Sequence, residues 1–336
     1  MTRVLITGGA GRVGGAVTAR FVEHGWDVRV IGIVPDVKIE GAEYVLCDIM
    51  DYDKLREQVR GCQAIVHLAA IPSPTSMPAP DMYRINTAGT FNVFEAADAE
   101  GVGRIVQASS INAMGCAWNL VDVEPQYFPI DEEHPSSTTD PYSFSKKVVE
   151  DIGDYYWRRC GISSVGLRYP AVYFPEEISN KKYLRKRQQM QYLLDTFAQM
   201  PEQERAERIE SVRKSVLEFR GQRRMEYPEK GVWDGPTEDW LWKAYHGDRF
   251  NFWAYIDNRD AAQAAEKAVI ADFEGSHPLF VVNDQNWAGY NSQKLIDLFF
   301  PNVKTMKREI QGADTMVSIE KARSLIGFKP EYYIPE

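Results

Sequence analysis

The stretch "ITGGAGRVGG", residues 6–15, constrains the fold of this chain more than any other feature of its sequence. It follows a short β-rich run and opens a segment with helical spacing. Gly9, Gly11 and Gly14 fit the spacing G-x-G-x-x-G, and Gly8 begins an overlapping G-x-x-G-x-x-G register. Glycines in this context allow a tight turn and a close approach of the backbone to a pyrophosphate, and the helix N-terminus offers N–H groups to the anion. The pattern therefore predicts a strand–loop–helix unit that binds a dinucleotide.

Short β-rich runs and helical patterns alternate over the first 170 residues. The predicted strands cover residues 3–8, 27–34, 42–49, 64–70, 104–110 and 163–170, and the main predicted helices cover residues 14–25, 52–61, 83–101 and 142–161. Strands separated by helices of this length form βαβ units, which build a parallel sheet with helices on both faces. We therefore predict an α/β fold with a doubly wound (Rossmann) parallel sheet and a smaller, mixed C-terminal substrate-binding part.

The character of the chain changes after Pro175. Residues 180–226 are highly charged with apolar positions at helical spacing, which predicts two amphipathic helices with solvated faces. The segment 232–255 is dense in aromatic residues, which is typical of a small core, an apolar pocket or a lid. Residues 279–284, "LFVVND", predict one more strand. The predicted division is a dinucleotide-binding domain of residues 1–171 plus about 253–271, and a substrate-binding region of about 172–252 plus 272–336.

The composition limits the class of partner. The 336 residues include 39 basic and 48 acidic side chains, and the net charge of −9 disfavours binding to nucleic acid or to an anionic membrane. No run of about 18 apolar residues is present, so no transmembrane helix is predicted. The four cysteines lie far apart without a C-x-x-C pair and the five histidines do not cluster, which predicts free thiols and no metal site. We therefore expect a cytoplasmic protein whose partner is a small-molecule substrate.

Tyr142 and Lys146 lie four residues apart at the start of a predicted helix, and therefore on one face of it. A tyrosine with an unperturbed pKa of about 10 is a poor base at neutral pH, whereas a nearby cation favours the phenolate. A phenolate tuned by Lys146 and by an oxidised nicotinamide can take a proton from a substrate hydroxyl. Ser110 ends a predicted strand at the C-terminal edge of the sheet, where it supplies a second hydrogen-bond donor. These residues predict oxidoreductase chemistry with Tyr142 as the acid/base.

The choice between NAD and NADP depends on residues beyond the second predicted strand. NAD-selective sites place a carboxylate at the end of that strand, where this chain has Gly32. Asp36 lies further on, beyond Pro35, and Arg12 in the glycine loop is either a ligand for a 2′-phosphate or a solvated side chain. The sequence leaves NAD or NADP open, with a slight preference for NADP. Asp48 is either a contact to the adenine edge or a turn residue at a strand end.

The chain also contains the motifs "TGGAGRVGG", "CDIMD", "HLAA", "NTAGTFNVFEAA", "YSFSK", "LRYPAVYFP" and "YIDNRDAAQA", which span most of its length. Together they resemble those of the extended short-chain dehydrogenases/reductases, the NAD(P)-dependent epimerase/dehydratase superfamily. The resemblance implies a catalytic set of Ser110, Tyr142 and Lys146, and a homodimer formed through the helices at 83–101 and 142–160. The coenzyme contacts expected from the loop and from the resemblance are Gly8, Gly11, Arg12, Val13, Gly14, Asp48, Ile49, Leu68, Ala69, Ala70, Asn86, Tyr142, Lys146 and Pro170.

Two departures from the family pattern narrow the substrate. Sugar-nucleotide dehydratases resemble one another in an Asp-Glu pair after the catalytic hydroxyl residue, whereas Ile111 and Asn112 follow Ser110 here, so elimination of water is not expected. Ala171 and Phe174 stand in "LRYPAVYFP" where nucleotide-sugar epimerases have asparagine and glycine, which removes a side-chain anchor for a diphosphate. The "FP" ending is most similar to the uronate/aldose dehydrogenase branch, although the Asn-His pair of that branch is absent. The expected substrate contacts are Ser73, Ser110, Asn112 and Phe174.

Three functions stay open at this point. The leading one is an NAD(P)-dependent oxidoreductase that acts on a hydroxyl or carbonyl of a small sugar, sugar acid or polyol. The alternative is a nucleotide-sugar epimerase with a transient keto intermediate, and the third is a non-catalytic NADP-binding regulator on the same scaffold. Retention of both Tyr142 and Lys146 favours the two enzymes over the regulator.

Overall fold

The structure is a computed structural model that describes residues 2–122, 124–227 and 239–335. Part of the aromatic segment predicted from the sequence, residues 232–238, therefore lies outside the described residues.

Seven parallel strands form the central sheet of the described chain. They are β1 (Arg3–Thr7), β2 (Asp27–Gly32), β3 (Ala42–Leu46), β4 (Ala64–His67), β5 (Arg104–Ser110), β6 (Ser163–Tyr169) and β9 (Ser276–Phe280). Their order in the sheet is β3-β2-β1-β4-β5-β6-β9, and a second, two-stranded sheet pairs β7 (Ala171–Tyr173) with β8 (Tyr255–Asp257). The strand order reverses at β1, so the crevice where a doubly wound sheet binds its ligand lies beside the end of this strand.

Eleven helices accompany these strands within the described residues. They are α1 (Arg12–Glu23), α2 (Tyr52–Val59), α3 (Ala79–Glu100), α4 (Pro141–Cys160), α5 (Pro175–Ile178), α6 (Lys181–Ala198), α7 (Glu202–Gly221), α8 (Trp240–Lys243), α9 (Asn258–Ile270), α10 (Ser292–Phe299) and α11 (Glu320–Ile326). α1 packs against α9 on one face of the sheet, while α3 packs between α2 and α4 on the other. This arrangement confirms the α/β doubly wound fold predicted from the sequence.

The central strands are apolar on both sides because both faces of the sheet are covered. Along β1, Val4 and Ile6 belong to the core that includes residues of α1 and α9, whereas Leu5 belongs to the core that includes residues of α2 and α3. All three side chains are fully buried. A strand of a parallel sheet that is covered on both faces has a nearly continuous apolar sequence. This is why apolar and polar residues do not alternate in "RVLIT".

The start of α4 is fixed by its capping residues. The Asp140 side chain accepts a hydrogen bond from the backbone N–H of Ser143 at 2.8 Å, and Pro141 occupies the first helical position. Both residue types favour a helix start. An aspartate at the cap accepts a hydrogen bond from an otherwise unpaired N–H group of the first turn, and a proline at the first position has no N–H group that needs a partner. Tyr142 is thereby placed in the first turn of α4, at the C-terminal edge of the sheet.

The C-terminal part is held together by aromatic packing. Phe219 of α7 lies 5.3 Å from Trp242 between ring centroids, and Trp253 lies 5.0 Å from Phe299. Trp242, Trp253 and Phe299 are buried, so the aromatic residues described in this segment pack a core, one of the roles predicted for them. α6 and α7 confirm the two predicted amphipathic helices.

The last strand lies earlier along the chain than the sequence predicts. The prediction is a strand at residues 279–284. β9 begins earlier, at Ser276, and pairs in parallel with β6 as the edge of the large sheet.

No helix in the part of the chain that the structure describes has the length and apolar character needed to cross a bilayer.

Candidate active site

The glycine loop between β1 and α1 has the close backbone packing that only glycine permits. Gly8 has a φ of +68°, and a Cβ atom there would lie 2.8 Å from the backbone nitrogen of Ala69. A Cβ atom at Gly14 would lie 2.1 Å from the carbonyl oxygen of Gly8. Gly11 caps α1 without a side-chain hydrogen bond, which leaves N–H groups of the first turn open to a ligand. These residues fit the pyrophosphate of a dinucleotide.

One cavity of about 860 Å³ runs along the C-terminal ends of β1, β2, β4, β5 and β6. It brings together sixteen of the eighteen residues predicted for the site. They are Gly8, Gly11, Arg12, Val13, Gly14, Asp48, Ile49, Leu68, Ala69, Ala70, Ser110, Asn112, Tyr142, Lys146, Pro170 and Phe174. The volume suits an elongated coenzyme with a small substrate at one end.

The other two predicted residues, Ser73 and Asn86, do not line this cavity. Ser73 lies in a loop, where its hydroxyl bonds to those of Thr75 and Ser76. Asn86 is buried, and its side chain accepts from the Ile71 N–H at 2.7 Å and donates to the Ile71 carbonyl at 3.1 Å. Asn86 therefore holds the loop after β4, which itself lines the cavity.

Tyr142 and Lys146 are both buried where α4 meets the sheet. Burial raises the pKa of Tyr142 to about 12, and a hydrogen bond from Ser110 acts in the opposite direction. Burial lowers the pKa of Lys146 to about 8, while the charge of Glu150 acts to raise it. The Lys146 ammonium donates to the carbonyl of Ala108 at 2.8 Å and lies 5.9 Å from the centroid of the Tyr142 ring. In the protein without coenzyme the phenol is therefore protonated at neutral pH.

Ser110 is held by the turn that follows β5. Its Oγ accepts one hydrogen bond from the backbone N–H of Asn112 at 3.2 Å and a second from Asn112 Nδ2 at 3.1 Å. Asn112 Oδ1 accepts from the thiol of Cys116 at 3.2 Å. These three side chains are buried, and Ser110 and Asn112 reach the cavity wall.

A buried ion pair below the site was not predicted from the sequence. Glu150 accepts two hydrogen bonds from Arg168 of β6, both at 2.9 Å, and a third from Ser109 of β5 at 2.6 Å. Glu150 lies four residues after Lys146 and eight after Tyr142, so it continues their helix face. That spacing was the signal in the sequence that Glu150 lies on the same helix face as the site. Its partners on β5 and β6 could not be predicted, because they are set by the tertiary fold.

A chain of hydrogen bonds crosses the sheet from β1 to α3. Thr7 Oγ1 accepts from the Ala69 N–H and bonds to Nδ1 of His67 at 2.7 Å, and Nε2 of His67 bonds to Thr90 Oγ1 at 3.0 Å. Thr90 in turn donates to the Asn86 carbonyl at 2.6 Å. Because the Thr90 proton is used there, Nε2 of His67 is the donor to Thr90, and Nδ1 accepts from Thr7. The imidazole in this chain is neutral.

The chain continues from α3 to α4. Asn86 Nδ2 donates to Ser145 at 3.1 Å, and Ser145 donates to the backbone carbonyl of Tyr142 at 2.7 Å. The glycine loop and the helix that carries Tyr142 are thus connected through buried polar groups.

Arg12 contacts residues of the segment that follows β7. Its guanidinium donates to Glu177 of α5 at 2.8 Å and lies 4.4 Å from the ring centroid of Phe174. At the end of β2, the Tyr44 hydroxyl donates to the Val34 carbonyl at 2.7 Å, and a Cβ atom at Gly32 would lie 2.9 Å from this hydroxyl. Tyr44 therefore takes the space that a carboxylate side chain at position 32 would need.

Sequence reasoning also missed residues of the cavity wall, most of them apolar. Ile33 and Val34 follow β2, whereas Met77 and Trp118 lie in the segments after β4 and β5. Their position after strands was a signal for these four residues, because ligands of doubly wound sheets bind there. Tyr44, which lies within β3, and Asn251 of the C-terminal part also line the cavity but had no such signal.

The parallel sheet, the glycine loop at its switch point and the cavity along the strand ends define a dinucleotide-binding protein of the Rossmann type. The model of the "NAD dependent epimerase/dehydratase family" matches residues 4–200, more than half of the chain. The chain belongs to this family and is an NAD(P)-dependent enzyme of the extended short-chain dehydrogenase/reductase type.

Known proteins similar to this chain include a dehydrogenase and an epimerase. The L-arabinose 1-dehydrogenase (NAD(P)(+)) of Haloferax volcanii is 34% identical over 187 residues, which cover 54% of this chain and 71% of that protein. A putative UDP-glucose 4-epimerase of Methanocaldococcus jannaschii is 33% identical over 178 residues, which cover 51% of this chain and 56% of that protein. Both matches leave a large part of this chain without a counterpart.

A solved structure confirms the fold over nearly the whole chain. A short-chain dehydrogenase/reductase superfamily protein from Agrobacterium tumefaciens, with bound NAD, superposes with a TM-score of 0.63 at 21% identity. The match covers 99% of this chain and 93% of that protein.

Proposed function

We propose that this protein is an NAD(P)-dependent oxidoreductase that acts on a hydroxyl or carbonyl of a small sugar, sugar acid or polyol, with Tyr142 as the general acid/base. The observation that carries the proposal is the convergence of Ser110, Tyr142 and Lys146 on the cavity that also contains the glycine loop. A tyrosine, a cation and a hydroxyl donor beside a dinucleotide site are the groups that this chemistry requires.

Each residue has a distinct role in the proposed reaction. A bound nicotinamide would supply the hydride acceptor in oxidation and the donor in reduction. The Tyr142 oxygen takes the proton of the substrate hydroxyl in oxidation and returns it in reduction. The Lys146 ammonium favours the phenolate through its charge, and Ser110 donates a hydrogen bond that orients the reacting oxygen.

The charges along the cavity favour an uncharged substrate over a sugar acid or a nucleotide sugar. The cations among the described lining residues are Arg12 and Lys146. Arg12 is paired with Glu177, and the proposed reaction uses the charge of Lys146 to favour the Tyr142 phenolate. A buried carboxylate or diphosphate needs a paired cation, and neither of these two is free to serve it.

The direction of Arg12 also bears on the coenzyme. The slight preference for NADP rested on this side chain and on the missing carboxylate at the end of β2. Arg12 contacts Glu177 and Phe174. The described lining residues near the end of β2 are Ile31, Gly32, Ile33, Val34 and Tyr44, none of which is a cation. A 2′-phosphate would find no counter-charge among them, so we propose NAD as the preferred coenzyme.

The test is a spectrophotometric panel in which purified protein is incubated with NAD⁺ or NADP⁺ and with neutral aldoses, polyols or uronates. Formation of reduced nicotinamide with a neutral aldose or polyol, faster with NAD⁺, is the expected result. A Tyr142→Phe variant should bind the coenzyme as the wild type does and lose turnover by about 10²–10⁴-fold. Full activity of this variant would overturn the assignment of Tyr142.

The second candidate is a nucleotide-sugar epimerase, which the similarity to a UDP-glucose 4-epimerase supports. This activity regenerates its coenzyme in each cycle, so it gives no net absorbance change. It is tested by incubating the protein with UDP-glucose and separating the products. Epimerised product, with coenzyme that co-purifies and does not exchange, would favour this function. Absence of product, together with absence of turnover in the dehydrogenase panel, would leave only the non-catalytic regulator.

A further inference from the structure

The turn after β5 controls which way the Ser110 hydroxyl can donate. A hydroxyl oxygen has two lone pairs and one hydrogen. Both lone pairs of Ser110 Oγ face donors, because the backbone N–H and Nδ2 of Asn112 lie 3.2 and 3.1 Å from it. Ser110 is left with its hydrogen alone to donate, and it lines the same cavity as the phenol of Tyr142. A hydrogen bond from Ser110 is one of the causes that lower the pKa of Tyr142.

Cys116 fixes the orientation of the Asn112 amide. The Cys116 thiol lies 3.2 Å from Asn112 Oδ1 and 3.3 Å from the carbonyl of Ile111, and both of these atoms are acceptors. A thiol that donates to the amide oxygen keeps the amide nitrogen turned toward Ser110. Burial raises the pKa of Cys116 to about 12, so the thiol keeps its proton at neutral pH.

We propose that Asn112, oriented by Cys116, is a positioning residue that makes Ser110 an obligate hydrogen-bond donor toward Tyr142 and the reacting oxygen. The inference rests on the proposed function for its effect on turnover, although the hydrogen-bond directions stand without it. In reduction, a Ser110 that can only donate polarises the carbonyl. In oxidation, it stabilises the negative charge that develops on the same oxygen.

The decisive variant is Asn112→Asp, which keeps the shape of the side chain but replaces its donor with an acceptor. The introduced carboxylate, when ionised, would draw the Ser110 proton to itself, whereas the protonated carboxyl group can still donate. We expect kcat to fall by about 10- to 100-fold at high pH and to recover as the pH is lowered. Coenzyme affinity should stay within about twofold of wild type, because a positioning effect acts on the reacting oxygen. An unchanged pH profile, or an equal loss at every pH, would overturn the proposal.

A second pair of variants keeps the test valid if Asn112→Asp does not fold. Cys116→Ala removes the thiol that orients the amide, and we expect a smaller fall in kcat of about threefold. Cys62→Ala is the matched control, because the Cys62 thiol is also buried and donates to a backbone carbonyl, that of Gln58 at 3.5 Å, but lies away from the cavity. Equal kinetic effects of the two substitutions would also overturn the proposal.

A measurement without turnover separates this proposal from the proposed function. The pKa of Tyr142 can be followed by NMR in protein with ¹³C-labelled tyrosine, with Tyr142→Phe to assign the signal. Cys116→Ala, which releases the Asn112 amide without adding a charge, should raise this pKa, since the hydrogen bond from Ser110 now lowers it. A raised pKa in a protein that oxidises no substrate would support the positioning role and refute the proposed function. An unchanged pKa would refute the positioning role alone.

Discussion

At the scale of single residues, burial moves the pKa values of Tyr142 and Lys146 in opposite directions, and both moves favour neutral forms. The phenol is therefore a proton donor in the resting protein, and it becomes a base only when neighbouring positive charge favours the phenolate. The proposed oxidation needs the phenolate, whereas the proposed reduction needs the phenol.

The two directions of the proposed reaction should therefore respond differently to pH. Because the pKa of Tyr142 is raised, the phenolate fraction grows with pH, and kcat/KM for oxidation should rise by up to about tenfold per pH unit through neutrality. The rise should level off above about pH 8, where Lys146 loses the charge that favours the phenolate. The rate of reduction should not rise over the same range. Initial rates in both directions from about pH 6 to about pH 9 provide the measurement. An oxidation rate that falls with pH would contradict Tyr142 as the base.

The buried ion pair of Glu150 and Arg168 should contribute strongly to the free energy of unfolding. Its side chain and that of Arg168 are 6% and 5% exposed, and they share two hydrogen bonds. Glu150→Gln would leave the buried guanidinium without its hydrogen-bonded carboxylate, which should lower the free energy of unfolding by about 3–5 kcal/mol. Chemical denaturation measures the loss.

The pair of Arg29 and Glu43 provides the control for this prediction. Glu43 is half exposed, and its pair with Arg29 has a distance of 2.9 Å, similar to that of the buried pair. Glu43→Gln should change the free energy of unfolding by at most about 1 kcal/mol. Similar losses for the two variants would show that burial does not govern the Glu150 pair.

At the scale of the elements, the series of buried hydrogen bonds from β1 to α4 contains His67. The protonation of this histidine makes the stability of the protein depend on pH. Burial lowers the pKa of His67 to about 3, and the charge of Lys146 acts in the same direction. The unfolded chain binds a proton at this histidine below about pH 6.5, whereas the folded protein does not bind it until about pH 3. Stability should therefore fall as the pH is lowered through this window.

The expected contribution of His67 is up to about 1.4 kcal/mol per pH unit between about pH 6.5 and about pH 3. A His67→Gln variant should be less stable at neutral pH, because it loses the imidazole that bonds to both Thr7 and Thr90. Its stability should nevertheless decline less steeply with acid than that of the wild type. Denaturant unfolding at a series of pH values compares the slopes, and equal slopes would show that His67 does not carry the effect.

The elements were predictable from the sequence because each has a local cause. The apolar run of β1, the glycine loop and the Asp140-Pro141 start of α4 are readable without knowledge of the fold. The pairing of distant residues was not predictable in the same way. Asn86 bonds to the loop after β4, and Glu150 bonds to residues of β5 and β6. Neither set of partners has a local signal, because such contacts follow from the tertiary arrangement.

At the scale of the whole molecule, an apolar surface remains on α3 and α4. Phe91, Phe144 and Tyr155 are 40%, 49% and 39% exposed, and Phe144 stacks on Tyr83 with 5.5 Å between ring centroids. Exposed aromatic residues grouped on neighbouring helices are typical of interfaces. We therefore retain the prediction, made from the resemblance, of a homodimer through these two helices.

A double variant, Phe91→Asp with Phe144→Asp, should convert the expected dimer into a monomer, because it places charge in an apolar interface. Size-exclusion chromatography with light scattering measures the mass. Tyr192→Asp is the control, since Tyr192 is 70% exposed on α6, away from these helices. A wild-type protein that is monomeric at all concentrations, or a control that dissociates as well, would refute the interface.

The position of β9 has a consequence for how the chain is made. β6 is complete at Tyr169, but its outer edge meets a partner only when β9 emerges, roughly a hundred residues later. At translation rates of about 5–20 residues per second, this interval lasts between about 5 and 20 s. During this time the unpaired edge of β6 is open to any other chain that offers a strand. The nascent protein is therefore most prone to aggregation while α6 and α7 are being synthesised, and expression at a lower concentration of nascent chains should improve its yield.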